Sequence, residues 1–75
     1  MKTLAQLPVN KRSLVVNIKE GALHTKLLEM GLYSGKPVEV LFKAPLGDPI
    51  AVDVDGYVLS MRLDEAAYVE VADVI

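Results

Sequence analysis

A small, strongly curved antiparallel β-barrel with one short helix inserted after its first strand is the fold class that this sequence predicts. Three observations carry that reading. Five short runs alternate apolar and polar residues with the period of two that marks a half-buried strand. One stretch, ending in Lys26–Gly35 (KLLEMGLYSG), carries the helical period instead. Asp55-Gly56 stands between two alternating runs, where it favours a two-residue type I′ hairpin because both residues tolerate positive φ.

Each element follows from local chemistry. Leu4 and Leu7 form an entry segment that packs on the domain before Pro8 turns the chain, and Asn10, Lys11 and Arg12 make a polar loop. Leu14, Val16 and Ile18 alternate with Ser13, Val15 and Asn17, giving the first strand. Gly21 opens a helix over Ala22 to Met30. Leu23, Leu27 and Met30 recur at i, i+4 and i+7, one apolar stripe, with Thr25 and Glu29 on the solvated side. Gly31 falls where a helix ends in a left-handed residue, and Leu32 then folds back on the last turn as the hydrophobic partner of that cap.

Gly35 and Pro37 bracket a second reversal. Val38, Val40 and Phe42 alternate with Glu39, Leu41 and Lys43 in the second strand, and the proline- and glycine-punctuated run Ala44 to Pro49 reads as a structured turn. Ile50, Val52 and Val54 form the third strand. Tyr57, Leu59 and Met61 return as the fourth, with Val58, Ser60 and Arg62 outward. Asp64 is the expected N-cap of a single turn through Ala66 and Ala67. A last strand, Tyr68 to Val71, points Val69 and Val71 inward, and Ala72 to Ile75 is expected to fray or pack elsewhere. Closing such a sheet removes unpaired edges around one core, which makes the barrel SH3-like. The same elements also fit an open antiparallel sheet with the helix across one face.

Seventy-five residues make a single domain, 1–75, with no room for a second core. The chain has no cysteine, hence no disulfide, thiolate metal site or cysteine nucleophile, which suits a reducing cytoplasm. No stretch approaches the roughly 20 apolar residues that cross a bilayer, and charges interrupt the N-terminal MKTLAQLPVNKR where a signal peptide would be apolar. The reading is a cytoplasmic protein without membrane insertion. Net charge is −2 with both signs interspersed, and Lys11-Arg12 is the nearest approach to the basic stripe a nucleic-acid binder uses. A nucleic-acid-binding barrel is therefore the least favoured reading, and no nucleic-acid partner is the expectation.

The candidate chemical groups read as structural. His24 is the one histidine and Glu20 lies four residues before it, but two ligands are too few for a tight metal site, which takes three or four. Asp48 lies between Gly47 and Pro49, where its side chain bonds nearby backbone N–H groups. Asp53 and Asp55 sit on the outer face around the hairpin turn, and Asp64 and Glu65 follow; nothing in the pattern separates their pKa values as a catalytic pair requires. Ser13, Ser34 and Ser60 lack a nucleophile elbow, and the glycines make no phosphate loop. The expectation is a protein that is not an enzyme and holds no metal or cofactor. Surface apolar residues remain: Leu28 off the helical stripe, Leu41 and Val58 on the outer face, and Tyr33 in the turn after the helix. Contiguous, they mark a partner site; scattered, they are ordinary.

Three blocks carry a family resemblance over Leu4 to Val71. They are Lys26-Leu27-Leu28-Glu29-Met30-Gly31-Leu32 with Gly35, Pro45-Leu46-Gly47-Asp48-Pro49, and Leu59-Ser60-Met61-Arg62 ahead of Ala66 and Val69-Glu70-Val71. In order and spacing the chain resembles the FeoA family, small SH3-like proteins associated with bacterial ferrous-iron uptake. The resemblance implies a cytoplasmic accessory protein that binds the ferrous-iron transporter FeoB, a membrane protein with a GTP-binding domain. A similar domain ends iron-dependent repressors, which makes a stand-alone metal-binding or metal-sensing domain the alternative; no helix-turn-helix precedes the similarity here. Self-association is compatible with either role. With three tyrosines, one phenylalanine and no tryptophan, a proline-binding groove is disfavoured. The expected partner-binding residues are Leu28, Leu32 and Tyr33 at the helix edge.

Overall fold

A computed structural model describes residues 2–74. Strands β1 (Lys2–Thr3), β2 (Arg12–Ile18), β3 (Pro37–Lys43), β4 (Ile50–Val54), β5 (Tyr57–Met61) and β6 (Val69–Asp73) form one antiparallel sheet in the order β1-β6-β2-β3-β4-β5. A 3₁₀ turn covers Leu4–Gln6, and two short helices, α1 (His24–Glu29) and α2 (Leu63–Ala66), follow β2 and β5. The hydrogen-bonded ladder does not close, and β1 and β5 remain as its edges. The sheet nevertheless wraps one interior. Val15, Ile18, Val38, Val40, Val52, Val54, Met61, Val69 and Val71, from five strands, share a single buried cluster with Leu4, Leu7, Leu27 and Leu32. Each fully buried leucine there is worth about 1.5–3 kcal/mol of apolar transfer.

Two bulges give the sheet its curl and correct the expected strand phases. In β2 the pairing with β6 slips between Val15 and Asn17, so Val16 is the extra residue. Ser13 and Val15 therefore face the core before the slip and Ile18 after it, while Leu14 is exposed. Ser13 is buried with its hydroxyl unpartnered among the described side chains. In β3 the slip lies between Val40 and Phe42, leaving Leu41 unpaired. Phe42, expected inward, consequently lies on the outer face opposite Ala51 and is 62% exposed.

Further differences have local causes. The helix is shorter than the apolar stripe implied, because Gly21 to Leu23 form a turn before the first helical hydrogen bond, Leu27 N–H to Leu23 C=O (3.0 Å). Thr3 and Lys2 add a sixth strand by pairing with Glu70 and Val71. Ala72 and Asp73 do not fray; they continue β6 opposite Leu14 and Ser13. The expected tail's Val74 is exposed, and Ile75 lies outside the described residues. The Asp55-Gly56 turn is as expected, with φ of 48° and 105° joining the pair Val54 and Tyr57.

Candidate functional site

The end of α1 and the β4–β5 turn meet on one surface. Gly31, at φ 91°, closes the helix: its N–H donates to Leu28 C=O (3.0 Å) and the Leu32 N–H to Leu27 C=O (3.1 Å). These are the two bonds of a Schellman cap, and Leu27 and Leu32 supply its hydrophobic contact inside the core. The Tyr57 hydroxyl donates to the Met30 carbonyl and occupies the space a Cβ on Gly31 would fill. Beside it, the Lys36 ammonium lies 5.0 Å from the centre of the Tyr33 ring and 3.4 Å from Asp55 Oδ2. Helix end, following turn and hairpin tip are thereby tied together. Leu28 (39% exposed), Tyr33 (50% exposed) and Tyr57 show apolar surface around these ties.

A polar cleft of 480 Å³ opens at the other end of β5, lined by Lys26, Asp48, Pro49, Ser60, Arg62 and Glu65. Glu65 is buried. Its Oε2 accepts from Lys26 Nζ at 2.7 Å and its Oε1 from the Arg62 N–H at 2.9 Å. The Lys26 ammonium, first, and the Arg62 N–H, second, hold the Glu65 carboxyl below its ordinary range. Asp48 Oδ1 accepts the Leu63 N–H at 3.1 Å, so the chain between β3 and β4 is fastened to the start of α2. Both carboxylates facing the cleft are thus committed to structural bonds.

The structure separates the expected contact residues. Leu28 and Tyr33 are at the surface, but Leu32 is wholly buried, because the residue after the cap glycine turns into the core. Leu32 therefore supports the helix edge from below and presents no surface of its own. Val58 is exposed as expected, and Leu41 is half-buried at its bulge. The expected cap Asp64 is displaced by Glu65 and Asp48, whose side chains take the Arg62 and Leu63 N–H groups. Asp48 bonds a group 15 residues away and not a neighbour. His24 is half-buried with Nδ1 3.1 Å from the Lys19 carbonyl, and Glu20 is exposed. Among the described residues no three His, Asp or Glu side chains cluster as metal ligands, and no helix is long and apolar enough to cross a membrane. Tyr57 and the Lys26–Glu65–Asp48 group were missed in the sequence; the only local signal was Glu65 three residues after Arg62, the spacing of a helix-start bond.

A curled antiparallel sheet around one core, with a short helix braced against its last hairpin, defines a small SH3-like β domain. Residues 2–73 match the FeoA domain, and the chain belongs to the FeoA family. It is 33% identical over 69 residues to the Fe(2+) transport protein A/Fe(2+) transporter FeoB fusion protein of Porphyromonas gingivalis, covering 91% of this chain and 8% of that protein. The chain thus spans less than a tenth of that relative's length. Among solved structures it is similar to a FeoA-like protein from Clostridium acetobutylicum (31% identity, TM-score 0.90, 100% of this chain and 91% of the other). It is also similar to Stenotrophomonas maltophilia FeoA complexed with zinc, described as a procaryotic SH3 domain protein (28% identity, TM-score 0.85, 96% and 91% covered). The manganese regulator SloR shares the fold alone, at 15% identity and TM-score 0.80 over 96% of this chain and 34% of that one.

Proposed function

We propose that this chain is a non-enzymatic, cytoplasmic accessory protein of ferrous-iron uptake that acts by binding the transporter FeoB. The observation that carries the reading is the fusion relative, in which a segment 33% identical to this chain is part of one polypeptide with FeoB. Segments made as one chain are held at high effective concentration, which suits domains that work in contact. The exposed side chains of Leu28, Tyr33 and Tyr57 around the helix end support a contact through the helix edge, since that end is fixed by the cap and the Tyr57–Met30 bond.

The test is capture of FeoB from membranes by the tagged chain, comparing wild type with Leu28→Glu. Capture should be lost in the variant while its thermal midpoint stays near that of wild type. Undiminished capture by L28E removes the helix edge from the contact, and failure of the wild type to capture FeoB removes the partner. A second reading, a metal-carrying domain, is supported by the zinc complex of the Stenotrophomonas relative. Anaerobic calorimetry with Fe²⁺ or Mn²⁺ separates it: micromolar binding abolished in His24→Ala or Glu20→Ala would favour the metal role.

A further inference from the structure

The two edges of the sheet are unlike. β1 is two residues long, whereas β5, Tyr57-Val58-Leu59-Ser60-Met61, is five residues without a charge, a proline or a bulge. Those are the devices by which natural edge strands avoid pairing with other chains, and β5 has none of them. Its hydrogen-bonding direction follows from the turn. A two-residue hairpin makes Val54 and Tyr57 a bonded pair, and antiparallel alternation then turns the N–H and C=O groups of Val58 and Ser60 away from β4. Among the described residues no other backbone group bonds them. The Val58 side chain beside them is 61% exposed, and Ser60 is exposed as well.

This open edge runs into the polar cleft, whose wall includes Ser60 and Arg62. Within the cleft Lys26 and Glu65 neutralise one another at 2.7 Å, and Asp48 is bonded to the Leu63 N–H. The Arg62 guanidinium has no carboxylate within ion-pair distance among the described residues. Asp48 keeps its negative charge in its bond to Leu63, so the four ionised side chains lining the cleft sum to zero, and Arg62 is the cation among them that has no salt bridge to a described residue. We propose that β5 is a strand-addition site. It takes an extended segment of a partner protein, antiparallel to β5, with an apolar side chain beside Val58 and an acidic one at Arg62. Main-chain bonds to Val58 and Ser60 supply the register, and the carboxylate at Arg62 supplies the choice of segment. That the segment belongs to FeoB rests on the function proposed above.

Ser60→Pro tests the edge with little effect on the fold, because the N–H it removes points outward, where proline is tolerated. Binding of detergent-solubilised FeoB should weaken about tenfold or more in S60P and in Arg62→Glu, while Ser60→Thr, which keeps the N–H, should bind as wild type does. A second measurement does not depend on any variant's folding: amide exchange at Val58 and Ser60 in the wild-type complex should slow about tenfold or more against the free chain. Wild-type affinity in S60P, or unchanged exchange at both amides in a formed complex, overturns strand addition and leaves the FeoB reading standing. Sedimentation of the wild type as a dimer that S60P dissociates also overturns it, since a second copy would then hold the edge. If wild-type chain does not bind FeoB, both proposals fall.

Discussion

The C-terminus of α1 and the N-terminus of α2 are closed by opposite means. At α1 every closing group lies within six residues: Gly31 and Leu32 donate to Leu28 and Leu27, and the leucine side chains seal the turn in the core. At α2 the first N–H groups are taken by carboxylates, one from Glu65 and one from Asp48, and Glu65 is in turn held by Lys26 from 39 residues upstream. The first closure is apolar and local; the second is charged and joins three separate segments. The difference teaches where sequence and pH act: local closure is written in neighbouring residues and indifferent to acid, and long-range closure is neither.

If that contrast holds, the largest loss should come from the apolar end. Leu32→Ala empties a fully buried site and should cost about 2–5 kcal/mol in denaturant unfolding, against a much smaller cost for Leu28→Ala. A loss under about 1 kcal/mol would place Leu32 outside the cap's core contact. Gly31→Ala should cost about 2 kcal/mol, from the left-handed backbone and the clash with the Tyr57 hydroxyl. Combining it with Tyr57→Phe should give a total smaller than the sum of the single losses. At the charged end Glu65→Gln should cost about 1–2 kcal/mol at neutral pH. Glu65's folded-state pKa is depressed, so its contribution is fully present above the unfolded value, near 4.5, and is lost as pH falls through the folded one. The gap between wild type and E65Q should accordingly narrow on acidification, whereas the L32A gap should not. The smallest effect is for Leu28→Glu, whose stability should stay within about 0.5 kcal/mol of wild type.

What was legible follows the same division. The Gly31–Leu32 cap, the Asp55-Gly56 hairpin and the inward sets of β4 and β6 rest on residues close in sequence, and each stands where the pattern put it. Strand phase beyond a bulge was not legible. Val16 and Leu41 look like any other β-branched or aliphatic strand residue, yet each adds one residue to its strand and reverses which neighbours are buried. That is why Leu14 and Phe42 appear at the surface and Ser13 inside. Exposure was readable for Leu28 from its angular position on the helix and for Tyr33 from its place in the turn that follows. For Leu32 the cap itself decides the matter, since its hydrophobic partner must point inward. The Lys26–Glu65 bond and the reach of Asp48 to Leu63 depend on how the sheet curls, which no local pattern encodes.

The fit between Gly31 and Tyr57 also bears on heredity. One position supplies an absence that the other fills, and the same holds for Gly21, where an added Cβ would come within 2.8 Å of the Tyr68 ring. The constraint runs one way: a side chain gained at 31 or 21 needs a shorter residue at 57 or 68 and must also bear the positive φ, whereas either tyrosine can shorten with its glycine kept. Related chains with a side chain at 31 or 21 should therefore carry a shorter residue at 57 or 68, and lineages that keep the tyrosine beside such a side chain would show that the couples are looser than their geometry here.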